Sequence, residues 1–72
     1  MDHSEVPKIS LEAARVNAKL SQKEAAKRLG ITPETLRNYE LGKTLPDIGM
    51  ATRIESLYQY PISHIFFGRV SL

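Results

Sequence analysis

The feature that most constrains this chain is a helix stop followed almost at once by a helix start, at residues 30–33. Gly30 can adopt the left-handed backbone conformation that ends many helices. Only Gly30 and Ile31 lie between the end of the first of these helices and Thr32, which is a favourable N-cap. Pro33, the next residue, suits the first position of a helix. The spacing therefore predicts two helices joined by a short turn.

The helix before this turn has an equally clear start. Ser21 and Glu24 have the spacing of a capping box, in which the serine hydroxyl and the glutamate carboxylate each accept a hydrogen bond from the other residue's backbone amide. This second helix is predicted to begin at Gln22 and to end at Gly30. Its core face consists of small and apolar residues: Ala25, Ala26 and Leu29.

Helices are also predicted before and after this pair. Residues 11–19 follow Ser10, a good N-cap, and repeat apolar side chains at helical spacing. The helix after the turn covers residues 33–41, directs Leu36 and Tyr39 inward, and ends at Gly42. A fourth helix follows Asp47, with core positions at Met50, Ala51, Ile54 and Leu57.

The rest of the chain completes the predicted architecture. Residues 62–67 are expected to form a short fifth helix that ends at Gly68, and no strand or repeat is predicted. The predicted fold class is all-α, a compact bundle of five short helices. Residues 10–68 form its single domain, between a flexible N-terminal segment at residues 1–9 and a C-terminal tail at residues 69–72.

Length and composition exclude several classes of protein. The chain has 72 residues and no cysteine, so one small domain without disulfides or thiolate metal sites is expected. His3 and His64 stand apart from other metal-ligating side chains, and neither a metal site nor a cofactor is predicted. Because the chain lacks a long apolar run and a signal-peptide pattern, the protein is expected to be cytoplasmic and without a membrane partner.

Catalytic motifs do not fit the sequence. Gly42, Lys43 and Thr44 match the end of a phosphate-binding loop, but Arg37 stands where this motif needs a glycine five residues earlier. No serine lies in a nucleophile elbow, and no glycine-rich dinucleotide motif occurs. The sequence nominates no nucleophile, no base and no small-molecule ligand, so an enzyme is not expected.

Positive charge is concentrated around the helix pair. The whole chain has a formal net charge of +2, whereas residues 8–43 carry eight basic and four acidic side chains, a local net charge of +4. A basic stretch of this kind favours binding to a polyanion. Residues 21–40 also have the layout of a helix-turn-helix, whose second helix can enter the major groove of DNA, although similar corners occur in ordinary helical domains.

Several spaced motifs resemble the Cro/CI-type (XRE-like) helix-turn-helix family of phage repressors and bacterial transcriptional regulators. They comprise residues 20–31, residues 39–43, Pro46-Asp47, and a series of later residues: Ile54, Leu57, Ile65, Phe66 and Gly68. The resemblance covers roughly residues 9–68. It implies a lambda repressor-like domain that binds double-stranded DNA in a sequence-specific manner.

The resemblance also implies roles for individual residues. It places phosphate and base contacts at the amino end of the second helix, base contacts along the third helix, and backbone contacts beside them. The DNA-binding residues implied are Ser21, Gln22, Thr32, Pro33, Glu34, Thr35, Arg37, Asn38 and Lys43. Arg15 and Glu40 occupy positions that form an ion pair inside the domain.

Three residues depart from the family pattern. Pro33 has no side-chain donor, Glu34 can accept from a cytosine amino group but repels phosphate, and Leu41 replaces an asparagine that would contact phosphate. These departures keep open a second interpretation, a protein-interaction module such as an antitoxin or an adaptor. Residues 31–40 also resemble the second helix of MerR-type regulators, but the helix before the motif and the helical pattern after it fit that family poorly.

The resemblance implies transcriptional regulation without chemistry. The expected protein is a repressor of phage or bacterial origin that acts by occupying an operator. Family members pair two subunits on DNA, so a homodimer is expected, with a protein partner as the alternative. The predicted dimer contact consists of apolar residues near the carboxyl end: Phe66, Phe67, Val70 and Leu72.

Overall fold

The computed structural model describes residues 6–68, and four α-helices make up most of this range. In chain order, the elements are β1 (Ile9–Ser10), α1 (Leu11–Asn17), α2 (Gln22–Leu29), α3 (Pro33–Leu41), α4 (Ile48–Tyr58), a 3-10 helix (Ile62–His64) and β2 (Ile65–Phe66). The prediction of a mainly helical domain is confirmed. The predicted number of five helices is wrong.

Each α-helix begins at a side-chain cap, as the sequence predicts. Ser10 Oγ accepts from the Ala13 amide at 3.0 Å, and Asp47 Oδ1 accepts from the Met50 amide at 2.8 Å. Ser21 and Thr32 cap α2 and α3 in the same way. These bonds satisfy amide groups that have no partner within a helix, which explains why local sequence determines where the helices start.

The predicted fifth helix is replaced by a single 3-10 turn and a strand. Ile62–His64 has no side-chain cap, and Ile65 is already extended, with φ −112° and ψ 128°. Ile65 and Phe66 pair in parallel with Ile9 and Ser10. Without a cap, so short a helix gains little stability, whereas pairing with β1 gives the backbone of both segments hydrogen-bond partners.

The predicted domain limits remain a prediction, but one residue before the predicted domain takes part in the fold. Ile9, which the sequence assigns to a flexible segment, lies in β1. The side chain of Tyr60 donates a hydrogen bond to the Pro7 carbonyl oxygen, so the chain before β1 contacts the region that follows α4. The predicted tail at residues 69–72 lies outside the described residues.

The core lies where the four helices meet. Its largest fully buried side chains come from all four: Leu11, Leu29, Leu36 and Ile54. Ala25 and Ala26 are also fully buried, and their small size lets α2 pack closely against α3 and α4. Ile65 extends the same core from β2. No helix between residues 6 and 68 is long and apolar enough to cross a membrane.

Two glycines lie against each other at the end of α3. Gly42 has a φ of 76° and ends the helix in the left-handed conformation. A Cβ atom at Gly42 would lie only 3.0 Å from the Cα atom of Gly68, which is closer than side chains pack. The chain after β2 therefore holds the carboxyl end of α3 in place through a backbone contact.

Candidate nucleic-acid interface

The turn between α2 and α3 is built from backbone and cap hydrogen bonds. Gly30 takes the left-handed conformation with φ 75°, and the Ile31 amide donates back to the Ala26 carbonyl oxygen at 3.0 Å. Thr32 Oγ1 then accepts from the Thr35 amide at 3.1 Å. Because both sides of the turn are hydrogen-bonded, α3 has a fixed orientation relative to α2.

The outer face of α3 is exposed and polar. Pro33, Glu34 and Arg37 are exposed, and Asn38 is half-buried. Leu36 and Glu40 are the buried residues of this helix. Residues four apart share a helix face, so Pro33 lies in line with Arg37, and Glu34 with Asn38. Four of the predicted DNA-binding residues are therefore presented together.

The side chains of Glu34 and Arg37 have no polar partner within residues 6–68. Neither side chain forms a hydrogen bond or an ion pair with another described residue. The hydroxyls of Thr32 and Thr35, in contrast, are hydrogen-bonded to each other at 2.9 Å. The charged groups of this face are thus available to an external partner, while the threonine pair serves the cap.

The amino end of α2 adjoins this face. Gln22, on α2, and Arg37, on α3, line one small cleft together with Glu12, Glu40 and Leu41. Ser21 takes part in the capping box, where the Glu24 amide donates to Ser21 Oγ at 3.0 Å and the Ser21 amide donates to Glu24 Oε1 at 3.3 Å. The Ser21 amide that donates to the Glu24 carboxylate, together with the Ser21 side chain beside that carboxylate, holds the pKa of Glu24 below its usual value.

Gln22 has an internal partner that the sequence does not predict. Its Nε2 donates to Glu40 Oε1 at 3.0 Å, so part of its amide is already hydrogen-bonded. The only hint in the sequence is an acidic residue, Glu40, among the core positions of the third helix. Gln22 therefore links the start of α2 to the end of α3, in addition to any contact with DNA.

A buried ion pair lies behind the interface. Arg15 Nε donates to Glu40 Oε2 at 2.7 Å, and Arg15 Nη1 donates to the Leu20 carbonyl oxygen at 3.0 Å. The hydrogen bond to Glu40 raises the pKa of Arg15, against the opposing effect of burial. The pair joins α1 to the last turn of α3, which places it where it can orient α3.

Tyr58 packs close to this pair but does not complete it. The side chain is buried, and within residues 6–68 its hydroxyl has no hydrogen-bond partner. Burial, reinforced by the negative charge of Glu40, raises the pKa of Tyr58 to about 12. The hydroxyl is thus a polar group whose desolvation is uncompensated by a hydrogen bond.

The remaining predicted site residues lie outside α3 and its exposed face. Lys43 is exposed in the loop after α3. Phe66 and Phe67 are half-buried, and Phe67 packs against the core; Val70 and Leu72 lie beyond the described residues. Among residues 6–68, the most exposed large apolar side chains are Leu45 and Ile48, at 71% and 86% exposure. No cluster of three metal-ligating side chains occurs between residues 6 and 68.

A capped helix pair with a left-handed glycine at the turn, and with a polar outer face on the second helix, defines a helix-turn-helix domain. A family profile described as helix-turn-helix matches residues 11–65, and the chain belongs to this Cro/CI-type (XRE) family of DNA-binding regulators. Neither curated proteins nor solved structures gave a significant match.

Proposed function

We propose that this protein is a sequence-specific transcriptional regulator that binds operator DNA through α3. The observation that carries the proposal is the exposed face of α3, where Glu34 and Arg37 have no partner among the described residues. A rigid, capped turn presents this face beside the amino end of α2. This geometry is what insertion of one helix into a major groove requires.

The residues around the face divide into two roles. Phosphate contacts fall to the side chains of Arg37, Lys43 and Thr35 and to the amino end of α2 at Ser21 and Gln22. Positive charge and the unpaired amides at a helix amino end attract phosphate anions. Base contacts fall to the exposed first turn and middle of α3, at Pro33, Glu34 and Asn38. Thr32 supports this arrangement mainly as the cap of α3.

Regulation follows from occupancy. A protein that occupies an operator covers DNA that polymerase needs, so we infer repression without any chemical step. Each chain presents one α3 and therefore contacts one half-site. We propose that two copies bind together, at half-sites about 34–36 Å apart.

A salt titration on duplex DNA tests the proposal. Duplexes are first selected from a random pool at low salt, and affinity for the selected duplex is then measured from about 50 to 200 mM salt. Neutralised phosphates release counterions, so the logarithm of the affinity should fall linearly with the logarithm of the salt concentration. No enrichment of any duplex, or affinity that does not change with salt, would contradict the proposal.

A protein-binding role on the same scaffold is the second candidate function. The exposed apolar side chains of Leu45 and Ile48 favour it. These two large apolar side chains lie three residues apart at 71% and 86% exposure, and a protein partner would remove their surface from water. An antitoxin or adaptor would recover a stoichiometric protein partner in a pull-down and would bind all duplexes with similar, weak affinity. Strong preference for one duplex sequence would instead support a sequence-specific regulator.

A further inference from the structure

We propose that the first turn of α3 selects pyrimidines: Glu34 accepts a hydrogen bond from a cytosine amino group, and Pro33 packs against the methyl group of a neighbouring thymine. The proposal rests on the proposed DNA-binding function and specifies which bases the site contacts. It concerns two adjacent base pairs in each half-site.

The position of the two residues supports this assignment. Pro33 and Glu34 are the first two residues of α3, both are exposed, and no described residue bonds to the Glu34 carboxylate. The neighbouring hydroxyls of Thr32 and Thr35 are bonded to each other. The first turn of the helix therefore offers a base edge one carboxylate and one apolar ring, without an amide or a guanidinium.

The chemistry of the bases limits what a carboxylate can contact. An ionised carboxylate only accepts hydrogen bonds. In the major groove, guanine presents two acceptors, thymine presents an acceptor and a methyl group, and adenine combines a donor with an acceptor. Cytosine presents an amino donor without an acceptor of its own. Glu34 is therefore matched to cytosine and repelled by guanine.

Pro33 is matched to thymine for a different reason. Its ring carries no donor or acceptor, so it cannot distinguish bases by hydrogen bonding. Thymine alone among the four bases presents a methyl group in the major groove, and apolar side chains contact that group. An exposed ring at the first position of α3 can bury this methyl group without leaving a polar base atom unpaired.

Electrostatics permits a carboxylate at this position. The amino end of α3 carries a partial positive charge that stabilises Glu34, and Arg37 lies one turn further along the helix. Repulsion between Glu34 and the phosphates lowers affinity for every duplex equally. Selectivity therefore depends on the cytosine amino group, since guanine and thymine offer no donor and adenine places an acceptor beside its donor.

Selection from a random duplex pool tests the assignment. Wild type, Glu34→Gln and Glu55→Gln are each selected under the same conditions. Glu55 lies on α4, and a glutamine in its place can still accept from the Ile62 amide, so its variant matches the charge change without altering α3. Wild type and Glu55→Gln should enrich a cytosine at one position of each half-site. Glu34→Gln should prefer adenine there, because glutamine pairs with adenine, with a discrimination of roughly five- to 150-fold.

Deoxyuridine tests the Pro33 contact on the same selected duplex. Replacing the neighbouring thymine by deoxyuridine removes only the methyl group, and wild-type affinity should fall several-fold. Pro33→Ser should lose this dependence on the methyl group and keep the cytosine preference. Circular dichroism of each variant verifies that the helices are intact.

The outcomes separate the inference from the proposed function. An enriched site whose base preferences are identical in wild type and Glu34→Gln would overturn the Glu34 assignment and leave sequence-specific binding intact. Equal affinity for thymine and deoxyuridine duplexes would overturn the Pro33 assignment. Failure of the wild type to enrich any duplex would overturn both this inference and the function on which it rests.

Discussion

Arg15 and Glu40 form a buried ion pair with 2.7 Å between Nε and Oε2, and their residues are only 9% and 8% exposed. Glu40 is buried on α3 about one turn after Arg37, and it also accepts from Gln22. One carboxylate thus fixes α3 against α1 and α2. Its effect on DNA binding is expected to be indirect, through the orientation and stability of α3.

Removing one member of this pair should strongly destabilise the fold. Glu40→Gln leaves the Arg15 guanidinium buried without its counter-charge, and we expect a loss of about 3–5 kcal/mol in the free energy of unfolding. Urea denaturation followed by circular dichroism measures it. The double variant Arg15→Met with Glu40→Leu should recover much of the loss, because no buried charge is then unpaired. A Glu40→Gln protein as stable as wild type would contradict this role.

Tyr58→Phe should stabilise the protein, by about 1 kcal/mol. The Tyr58 hydroxyl is buried without a hydrogen-bond partner among residues 6–68, so the variant removes a desolvated polar group and leaves the ring in place. The midpoint of thermal unfolding should rise by about 4–8 °C for a domain of this size. Tyr60→Phe is the matched control and should not stabilise, because the Tyr60 hydroxyl donates to Pro7.

The same hydroxyl predicts a dependence on alkaline pH. The folded-state pKa of Tyr58 is raised to about 12, above the value of about 10 expected in the unfolded chain. Between these values the unfolded state has lost a proton that the folded state keeps, so stability falls as pH rises. The stability difference between wild type and Tyr58→Phe should therefore shift further in favour of the variant from pH 10 to pH 12.

Gly42→Ala should destabilise more than Gly30→Ala. Both glycines have nearly the same positive φ, 76° and 75°, so the backbone strain of an alanine is similar at each. At Gly30 the new Cβ atom would lie 3.6 Å from a flexible arginine atom, whereas at Gly42 it would lie 3.0 Å from the Gly68 Cα atom. We expect the difference to be about 1–3 kcal/mol in urea denaturation. Equal effects would show that the two chain segments separate easily.

Arg37→Ala should weaken DNA binding without changing the preferred sequence. Loss of one phosphate contact reduces affinity across sequences and lowers the slope of log affinity against log salt by about 1. Arg28→Ala removes an equal charge from the exposed carboxyl-terminal end of α2 and should leave the slope nearly unchanged. Identical slopes for both variants would indicate that Arg37 acts only through the overall charge.

Local chemistry made the helices predictable. The caps at Ser10, Ser21, Thr32 and Asp47 and the stops at Gly30 and Gly42 each depend on residues within one turn, and all appear in the structure. The pairing of Ile9 with Ile65 depends on residues at opposite ends of the domain. Two-residue strands have no periodicity of their own, which is why the second segment was predicted as a helix.

The site could be predicted in outline only. The family resemblance implies DNA contacts for Pro33, Glu34, Arg37 and Asn38, and the structure shows three of them exposed and Asn38 half-buried on α3. That they contact DNA stays a prediction. The bond from Gln22 to Glu40 joins two helices, and nothing in the spacing of these residues indicates it. The bonded threonine hydroxyls of the α3 cap likewise depend on side-chain rotamers, which sequence patterns do not specify.

The parallel pairing of β1 with β2 also sets an order of events during synthesis. β1 leaves the ribosome first, and its partner Ile65 is added 56 residues after Ile9, roughly 3–11 s later at ordinary elongation rates. The α2–α3 pair, whose caps and turn are local, is complete well before then. In a nascent chain, Ile9 and Ser10 therefore lack their strand partners until Ile65 and Phe66 have been added, whereas the hydrogen bonds of the α2–α3 turn need no residue that is synthesised so late.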